Sequence, residues 1–193
     1  MFAELLRQRI DSTVVLTNFQ ISQLQSHYQL LCRWNRVLNL TSIEDEEQVV
    51  ERHYCESLFL AANMPPGGLR IADLGSGAGF PGIPLAVVRP DCAVTLVESH
   101  QRKSVFLQEA TRDMKNVNVL AKRADQINQN FDWVVSRAVK FSEIERSASQ
   151  LAPQVAVLAG NEPPSEGRFT WNTPIQIPWG RQRFLWIGNT RST

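Results

Sequence analysis

A glycine-rich segment that follows an acidic residue is the part of this sequence with the clearest chemistry. It runs Ile71-Ala-Asp-Leu-Gly-Ser-Gly-Ala-Gly-Phe-Pro-Gly-Ile-Pro-Leu85, so Asp73 and a run of glycines separate two apolar stretches. Glycine allows a tight turn and a close approach of the backbone to a ligand, because it carries no Cβ atom. An apolar strand, such a loop and a helix in this order are typical of a nucleotide-type cofactor site at the carboxyl end of the first strand of a doubly wound α/β sheet.

Two classes of cofactor fit such a loop, and Asp73 distinguishes between them. Gly77, Gly79 and Gly82 match the spacing of a dinucleotide fingerprint, whose helix N-terminus favours a pyrophosphate. S-adenosylmethionine (SAM) has no phosphate but carries a sulfonium and an ammonium group, for which a carboxylate near the loop is useful. The acid ahead of the glycines therefore favours SAM, and an NAD-type oxidoreductase is the alternative from a different class.

Polar residues also follow the next three predicted strands. Glu98 could accept hydrogen bonds from both ribose hydroxyls of an adenosine, which suits SAM and NAD equally. After the third strand, Asp125 could accept from the exocyclic amine of adenine while the amide of Ala124 donates to the ring. Arg137 ends the fourth strand and cannot act as a base, because a guanidinium group keeps its proton. It can orient a substrate carbonyl or phosphate.

The composition restricts the class of protein. The chain has 193 residues, of which 43% are apolar and 20% charged, which suits one globular domain with a full hydrophobic core. No apolar run approaches the roughly 20 residues that cross a bilayer, and Met1–Ile10 lacks the features of a secretion signal. We therefore expect a cytoplasmic protein that does not span a membrane.

Cysteine, histidine and charge patterns exclude further classes. The three cysteines lie far apart and the three histidines have no mutual metal-ligand spacing, so we expect reduced thiols and no metal site. A net charge of +1 does not indicate nucleic-acid binding over a large area, although local clusters of cations could provide it. No exposed apolar stripe stands out, which predicts a monomer.

Hydrophobic periodicity indicates the elements that position these residues. Helical spacing runs through the first sixty residues, where Asn18 could open the second helix and Thr41–Glu44 fits a capping box for the next. Proline and glycine in Asn63–Gly68 break this pattern. We predict an N-terminal helical extension over residues 1–62 and a Rossmann-like core over residues 63–193, together one compact domain.

Strands and helices alternate from Leu69 onward, which predicts an α/β fold with a parallel sheet and helices on both faces. The predicted strands are Leu69–Leu74, Ala93–Glu98, Val117–Ala121, Phe131–Ser136 and Val155–Leu158, and the predicted helices are those that begin at Gly82, Arg102 (with Val105 inward) and Phe141. Arg168–Ile177 and Arg183–Ile187 lack room for a helix between them, which predicts an antiparallel hairpin. A mostly parallel sheet that ends in such a hairpin is the usual arrangement of Rossmann-like (class I) SAM-dependent methyltransferases.

Taken together, the motifs resemble the RsmG family, also called GidB, whose members methylate a guanine at N7 in bacterial 16S ribosomal RNA. The matching pieces run in order from about residue 35 to residue 140. They are Asn39-Leu-Thr41, Arg52-His53, Ser57-Leu58, Asp73–Leu85, Glu98-Ser99, Arg102-Lys103, Phe106-Leu107 and Asp132–Ala138.

The resemblance implies a role for each candidate residue. Gly75, Gly77 and Phe80 would contact SAM, Glu98 would hold the ribose, and Ala124 with Asp125 would hold the adenine. Arg137 would lie where the cofactor meets the target base. The residues implied to face 16S ribosomal RNA, or the small ribosomal subunit, are Arg52, His53, Arg102 and Lys103.

One departure from the family pattern affects the target side. The family ends its fifth strand in Lys-Gly, whereas here Ala159 precedes Gly160. Loss of one phosphate contact would weaken RNA affinity without abolishing it. An alternative is therefore a catalytically weakened paralogue that binds SAM or RNA, or that acts on another substrate.

Overall fold

Helices precede the sheet in this computed structural model, which describes residues 1–10 and 14–191. Thr17 caps the second helix, since its hydroxyl accepts the Gln20 amide and the Gln20 side chain accepts the Thr17 amide. The third and fourth helices form one continuous helical stretch, with a π-helical segment between them. The elements are α1 (Phe2–Ile10), α2 (Asn18–Asn35), α3 (Glu46–Val49), the π-helical segment (Val50–Cys55) and α4 (Glu56–Ala62).

Two local predictions for the helices are wrong. The cap of α3 is Asp45, whose carboxylate accepts the Gln48 amide at 2.9 Å, and not Thr41. The Thr41 hydroxyl instead bonds within its own loop and to His53. Val105 is 44% exposed, because α6 (Gln101–Ala110) turns its neighbour Phe106 inward.

In the described residues the sheet has eight strands in the order β3-β2-β1-β4-β5-β8-β6, with β7 also paired to β8. The first five strands are parallel and β8 runs antiparallel to β5, so the predicted topology is confirmed. The strands are β1 (Arg70–Leu74), β2 (Ala93–Val97), β3 (Val117–Leu120), β4 (Trp133–Arg137), β5 (Gln154–Ala159), β6 (Phe169–Trp171), β7 (Ile175–Gln176) and β8 (Phe184–Thr190), and the remaining helices are α5 (Gly82–Val88), a 3₁₀ turn (Ala124–Gln126) and α7 (Phe141–Leu151).

The C-terminal hairpin differs in detail from its prediction. The segment predicted as one strand over Arg168–Ile177 forms two short strands, β6 and β7, which both pair with β8. Pro174 lies between them, and proline has no amide hydrogen with which to continue a ladder. β8 is therefore an interior strand, and β6 lies at the sheet edge.

The hydrophobic core lies on both faces of the sheet. One cluster joins residues of the N-terminal helices, such as Phe2 and Leu6, to Ile83 of α5 and Leu185 of β8. The other packs α7, through Phe141, against the opposite face. The predicted boundary between residues 62 and 63 thus crosses a continuous apolar cluster. In the part of the chain that the structure describes, no helix is long and apolar enough to cross a membrane.

Candidate functional site

A cleft of about 700 Å³ opens at the carboxyl ends of the parallel strands. This is the edge where open α/β sheets bind ligands, because the loops after adjacent strands meet there. Most of the residues predicted from the sequence line this cleft. They are His53, Gly75, Gly77, Phe80, Glu98, Lys103, Ala124, Asp125 and Arg137, whereas Asp73, Arg52 and Arg102 do not line it.

The loop after β1 needs glycine at Gly75. Its φ is 73°, and a Cβ atom there would lie 2.4 Å from Cγ2 of Val139. Val139 reaches this position because Ala138 turns the chain after β4 with a φ of 57°. The Val139 side chain therefore packs against the backbone of Gly75 more closely than a residue with a Cβ atom would allow.

Glu98 ties the glycine loop to the end of β2. Its Oε2 accepts the Gly77 amide at 2.9 Å, and its Oε1 accepts the His100 amide at 2.8 Å. Each carboxylate oxygen can accept two hydrogen bonds, so each keeps one free position. The predicted role of Glu98 at a ribose therefore remains available to it, and the two amides fix the direction in which it acts.

Asp73 lies beneath the loop and is fully buried. Its Oδ2 accepts the Gly82 amide at 3.0 Å, whereas its Oδ1 has no partner among the described residues. Burial raises the pKa of this carboxyl to about 7. Asp73 thus stabilises the start of α5 from below, and its predicted effect on a cationic ligand stays a prediction.

A buried histidine supports the same loop from α2, and the sequence did not reveal this role. His27 donates from Nε2 to the carbonyl of Ala78 at 3.0 Å and accepts at Nδ1 from the Tyr54 hydroxyl at 2.8 Å. Burial lowers the pKa of His27 to about 4, so the ring is neutral at physiological pH. No sequence pattern indicates this contact, because it joins residues that are 51 positions apart.

His53 lies inside the site and is linked to Arg137. Its ring stacks on Phe80 with centroids 4.6 Å apart, and its Nδ1 lies 2.5 Å from Nη1 of Arg137. Burial and the Arg137 guanidinium lower the pKa of His53 to about 3. Because Arg137 can only donate, Nδ1 accepts, and the proton of the neutral ring lies on Nε2, where it faces Thr41 Oγ1 at 2.8 Å. The π-helical segment carries His53 to this position, and such segments often occur at functional sites.

A buried carboxylate, Glu56, holds two arginines at the back of the site. It binds Arg183 through two hydrogen bonds of 2.8 and 3.1 Å and forms a salt bridge of 3.5 Å with Arg137. Burial lowers the pKa of Arg137 to about 10, which leaves it protonated at neutral pH. The sequence did not connect Glu56 with Arg183, since they are 127 residues apart and nothing in their local patterns links them.

Cations lie at the mouth of the cleft, together with the carboxylates of Asp125 and Glu143. Lys103, Lys122 and Arg123 line it, whereas Arg52 and Arg102 are exposed outside it. Among the residues that the structure describes, no group of three or more His, Cys, Asp or Glu side chains could hold a metal ion.

A protein-family model described as rRNA small subunit methyltransferase G matches residues 20–159. The chain belongs to this family. The assignment to the RsmG family that was made from the motifs is therefore confirmed.

Curated members of the RsmG family are similar in sequence along most of this chain. The ribosomal RNA small subunit methyltransferase G of Chromobacterium violaceum is 40% identical over 146 residues, which are 74% of this chain and 68% of that protein. The corresponding protein of Dichelobacter nodosus is 45% identical over 141 residues, which are 70% of this chain and 66% of that protein. The matched part thus spans about two thirds of the length of these relatives.

A solved structure confirms the predicted fold. A SAM dependent methyltransferase from Aquifex aeolicus superposes with a TM-score of 0.60 at 16% sequence identity, over 79% of this chain and 97% of that chain. The likeness shows the Rossmann-like methyltransferase fold, and at this identity it shows the fold alone. Neither alternative considered from the sequence, the weakened paralogue or the NAD-type oxidoreductase, is favoured by these comparisons.

The structure also shows what lies beside Ala159, where the RsmG family pattern has lysine. Ala159 pairs with Phe184 across β5 and β8, and Arg183 comes directly before Phe184. The guanidinium group of Arg183 is therefore a cation beside the start of the neighbouring strand, although it is paired with Glu56.

Proposed function

We propose that this protein transfers a methyl group from SAM to N7 of a guanine in 16S ribosomal RNA. The observation that carries the proposal is the cleft of an RsmG family member, which the glycine loop, Glu98, Arg137 and His53 line together. The cleft lies within the range of about 300–1,000 Å³ that is typical of small-molecule sites.

The residues present fit SAM. The glycine loop lines the cleft through Gly75 and Gly77, and Glu98 keeps one free acceptor position on each oxygen. Ala124 and Asp125 line the same cleft, and in this proposal they would hold the adenine. The unpartnered Oδ1 of Asp73 adds a buried acceptor beneath the loop, and a carboxylate in that position favours a cationic ligand.

The side chains around the cleft suit a reaction that needs no base. Bound SAM supplies an electrophilic methyl group, and guanine N7 has a free lone pair, so no proton must be removed first. His53 is unsuited to act as a base, because both of its ring nitrogens are engaged and its pKa is about 3. Cys55 does not line the cleft, and burial raises the pKa of its thiol to about 12, so it stays protonated at neutral pH. The chain would act by holding the target in line and excluding water.

In this proposal the substrate is 16S ribosomal RNA or the small ribosomal subunit. The enzyme acts as a monomer in the cytoplasm. The cations at the mouth of the cleft would contact phosphates, and an unstacked base would enter the cleft. The residues proposed for the RNA side are Arg52, His53, Arg102 and Lys103.

The test is calorimetric titration with SAM, followed on the same sample by transfer of labelled methyl to small-subunit ribosomal RNA that lacks the modification. We expect saturable binding and labelled N7-methylguanosine. Glu98→Gln should lower SAM affinity at least about 10-fold, because its amide nitrogen would face a backbone amide hydrogen.

The matched control is Glu166→Gln, the same change at an exposed residue outside the cleft, which should leave SAM affinity unchanged. Equal losses in both variants would argue against the placement of the ligand. Binding of NAD instead of SAM would overturn the proposed cofactor, and SAM binding without transfer to guanine would overturn the proposed reaction.

A further inference from the structure

Thr41 lines the cleft from the loop between α2 and α3. The side chain of Asn35 holds the backbone of this residue on both sides. Its Oδ1 accepts the Thr41 amide at 2.9 Å, and its Nδ2 donates to the Thr41 carbonyl at 2.9 Å. The hydroxyl group is therefore fixed in position by the fold and not only by its own rotamer.

The direction of the Thr41 hydroxyl hydrogen follows from its partners. Arg137 fixes the ring of His53 with a hydrogen on Nε2, and this nitrogen donates to Thr41 Oγ1 at 2.8 Å. The amide of Ile43 donates to the same oxygen at 3.1 Å. A hydroxyl oxygen has two acceptor positions, and both are filled.

The hydrogen of this hydroxyl therefore points away from both donors. In residues 1–10 and 14–191 this hydroxyl makes no further hydrogen bond, and its bond to His53 places it beside another residue that lines the cleft. The network from Arg137 through His53 thus leaves Thr41 as a donor aimed at a ligand.

We propose that the Thr41 hydroxyl donates a hydrogen bond to the 6-oxo group of the target purine and thereby selects guanine over adenine. On the edge that carries N7, guanine presents two acceptors, N7 and O6, whereas adenine presents an amino donor at position 6. N7 must face the methyl group, so O6 is the acceptor left for a fixed donor beside it. This inference rests on the proposed function, because it requires a purine that reacts at N7.

The experiment measures kcat/KM for methyl transfer with the full chain and two RNA substrates. One carries guanine at the target position and the other carries 2-aminopurine, which keeps N7 and lacks the 6-oxo group. The proteins are the wild type, Thr41→Val, which removes the hydroxyl in a similar shape, and Thr41→Ser, which keeps it. Differences in N7 nucleophilicity between the bases affect all three proteins alike and cancel in the comparison.

The preference for guanine over 2-aminopurine should be about 10- to 100-fold smaller in Thr41→Val than in the wild type, and Thr41→Ser should keep the wild-type preference. If the Thr41 hydroxyl served only to accept hydrogen bonds from His53 and Ile43, its loss would lower kcat/KM for both RNA substrates equally. An unchanged preference in Thr41→Val would therefore overturn the role of Thr41 while leaving the proposed function intact. Absence of transfer to guanine by the wild type would overturn the proposed function, and this inference with it.

Discussion

Asp73 shows how one buried residue makes the stability of the protein depend on pH. Burial raises its pKa from 3.8 to about 7. The folded chain therefore binds a proton that the unfolded chain releases between these values. The stability that this provides is fully present below about pH 4 and is lost as the pH rises through about 7.

Asp73→Asn should remove this dependence, since the amide oxygen can still accept the Gly82 amide. We expect the free energy of unfolding of the wild type, relative to this variant, to fall by about 1 kcal/mol per pH unit between about pH 5 and 7. Urea denaturation of both proteins at several pH values measures it. A difference that stays constant across that range would contradict the assignment.

The pair of Arg137 and His53 can be tested by titration of the histidine. The pKa of His53 is about 3, first because the ring is buried and second because the Arg137 guanidinium faces it. Arg137→Ala should therefore raise this pKa toward the ordinary value of 6.5, without reaching it. Nitrogen chemical shifts of the imidazole rings, followed with pH, report both the pKa and the tautomer.

His27 is an internal control in the same spectra. Its partners are Ala78 and Tyr54, so its pKa of about 4 should not change in Arg137→Ala. A shift of both histidines would indicate a general loosening of the core. If neither moved, the contact between Arg137 and His53 would not be what lowers the pKa.

At the scale of elements, the C-terminal hairpin is attached to α4 through Arg183 and Glu56. Removing one partner of a buried ion pair is strongly destabilising, but Arg183 is partly exposed and Arg137 continues to face the carboxylate. We therefore expect Arg183→Gln to lower the free energy of unfolding by about 1–3 kcal/mol. Arg181→Gln is the matched control, since the same change at this exposed position should cost less than about 0.5 kcal/mol. Equal effects of the two variants would contradict the role of Arg183.

The same elements show which parts of the structure the sequence can predict. The strands and helices after Leu69 follow from the alternation of apolar patterns, and α5 and α7 begin at the predicted residues, Gly82 and Phe141. The prediction of Thr41 as the cap of α3 is wrong, because Thr41 and Asp45 both have side chains that can cap a helix, and Thr41 is engaged by Asn35 and His53 instead.

Only those residues of the candidate site that belong to local motifs could be predicted from the sequence. The glycine loop and Glu98 belong to local motifs, so the sequence identified them. Glu56, Arg183 and His27 act through partners far away in the chain, and no local pattern encodes such contacts. The π-helical segment that places His53 likewise depends on packing against neighbouring elements, which spacing alone does not reveal.

For the whole molecule, we propose that the N-terminal helices and the sheet unfold together, although residues 1–62 were distinguished from the core in the sequence. Leu6, Leu24 and Leu58 share one apolar cluster with Ile83 and Leu185. Denaturation followed by far-ultraviolet circular dichroism and by tryptophan fluorescence should give coincident transitions. Two separated transitions would show that the helices form a unit of their own.

The overall charge of +1 implies that RNA affinity depends on the cations at the mouth of the cleft and not on the protein as a whole. Lys122 and Arg123 follow β3 and line the cleft. If each contacts a phosphate, Lys122→Ala and Arg123→Ala should each reduce the dependence of log affinity on log salt concentration by about 0.7. Fluorescence anisotropy with a labelled small-subunit RNA fragment, at several salt concentrations, measures this slope.

Lys115→Ala is the control for charge alone. It removes an exposed lysine just before β3, at the amino ends of the parallel strands, whereas the cleft lies at their carboxyl ends. A phosphate contact acts only within hydrogen-bond distance, whereas the attraction of the whole protein depends on its total charge. We therefore expect Lys115→Ala to keep the wild-type slope. Equal changes in slope for Lys115→Ala and Lys122→Ala would mean that RNA affinity depends on net charge alone. That result would contradict RNA binding at the mouth of the cleft.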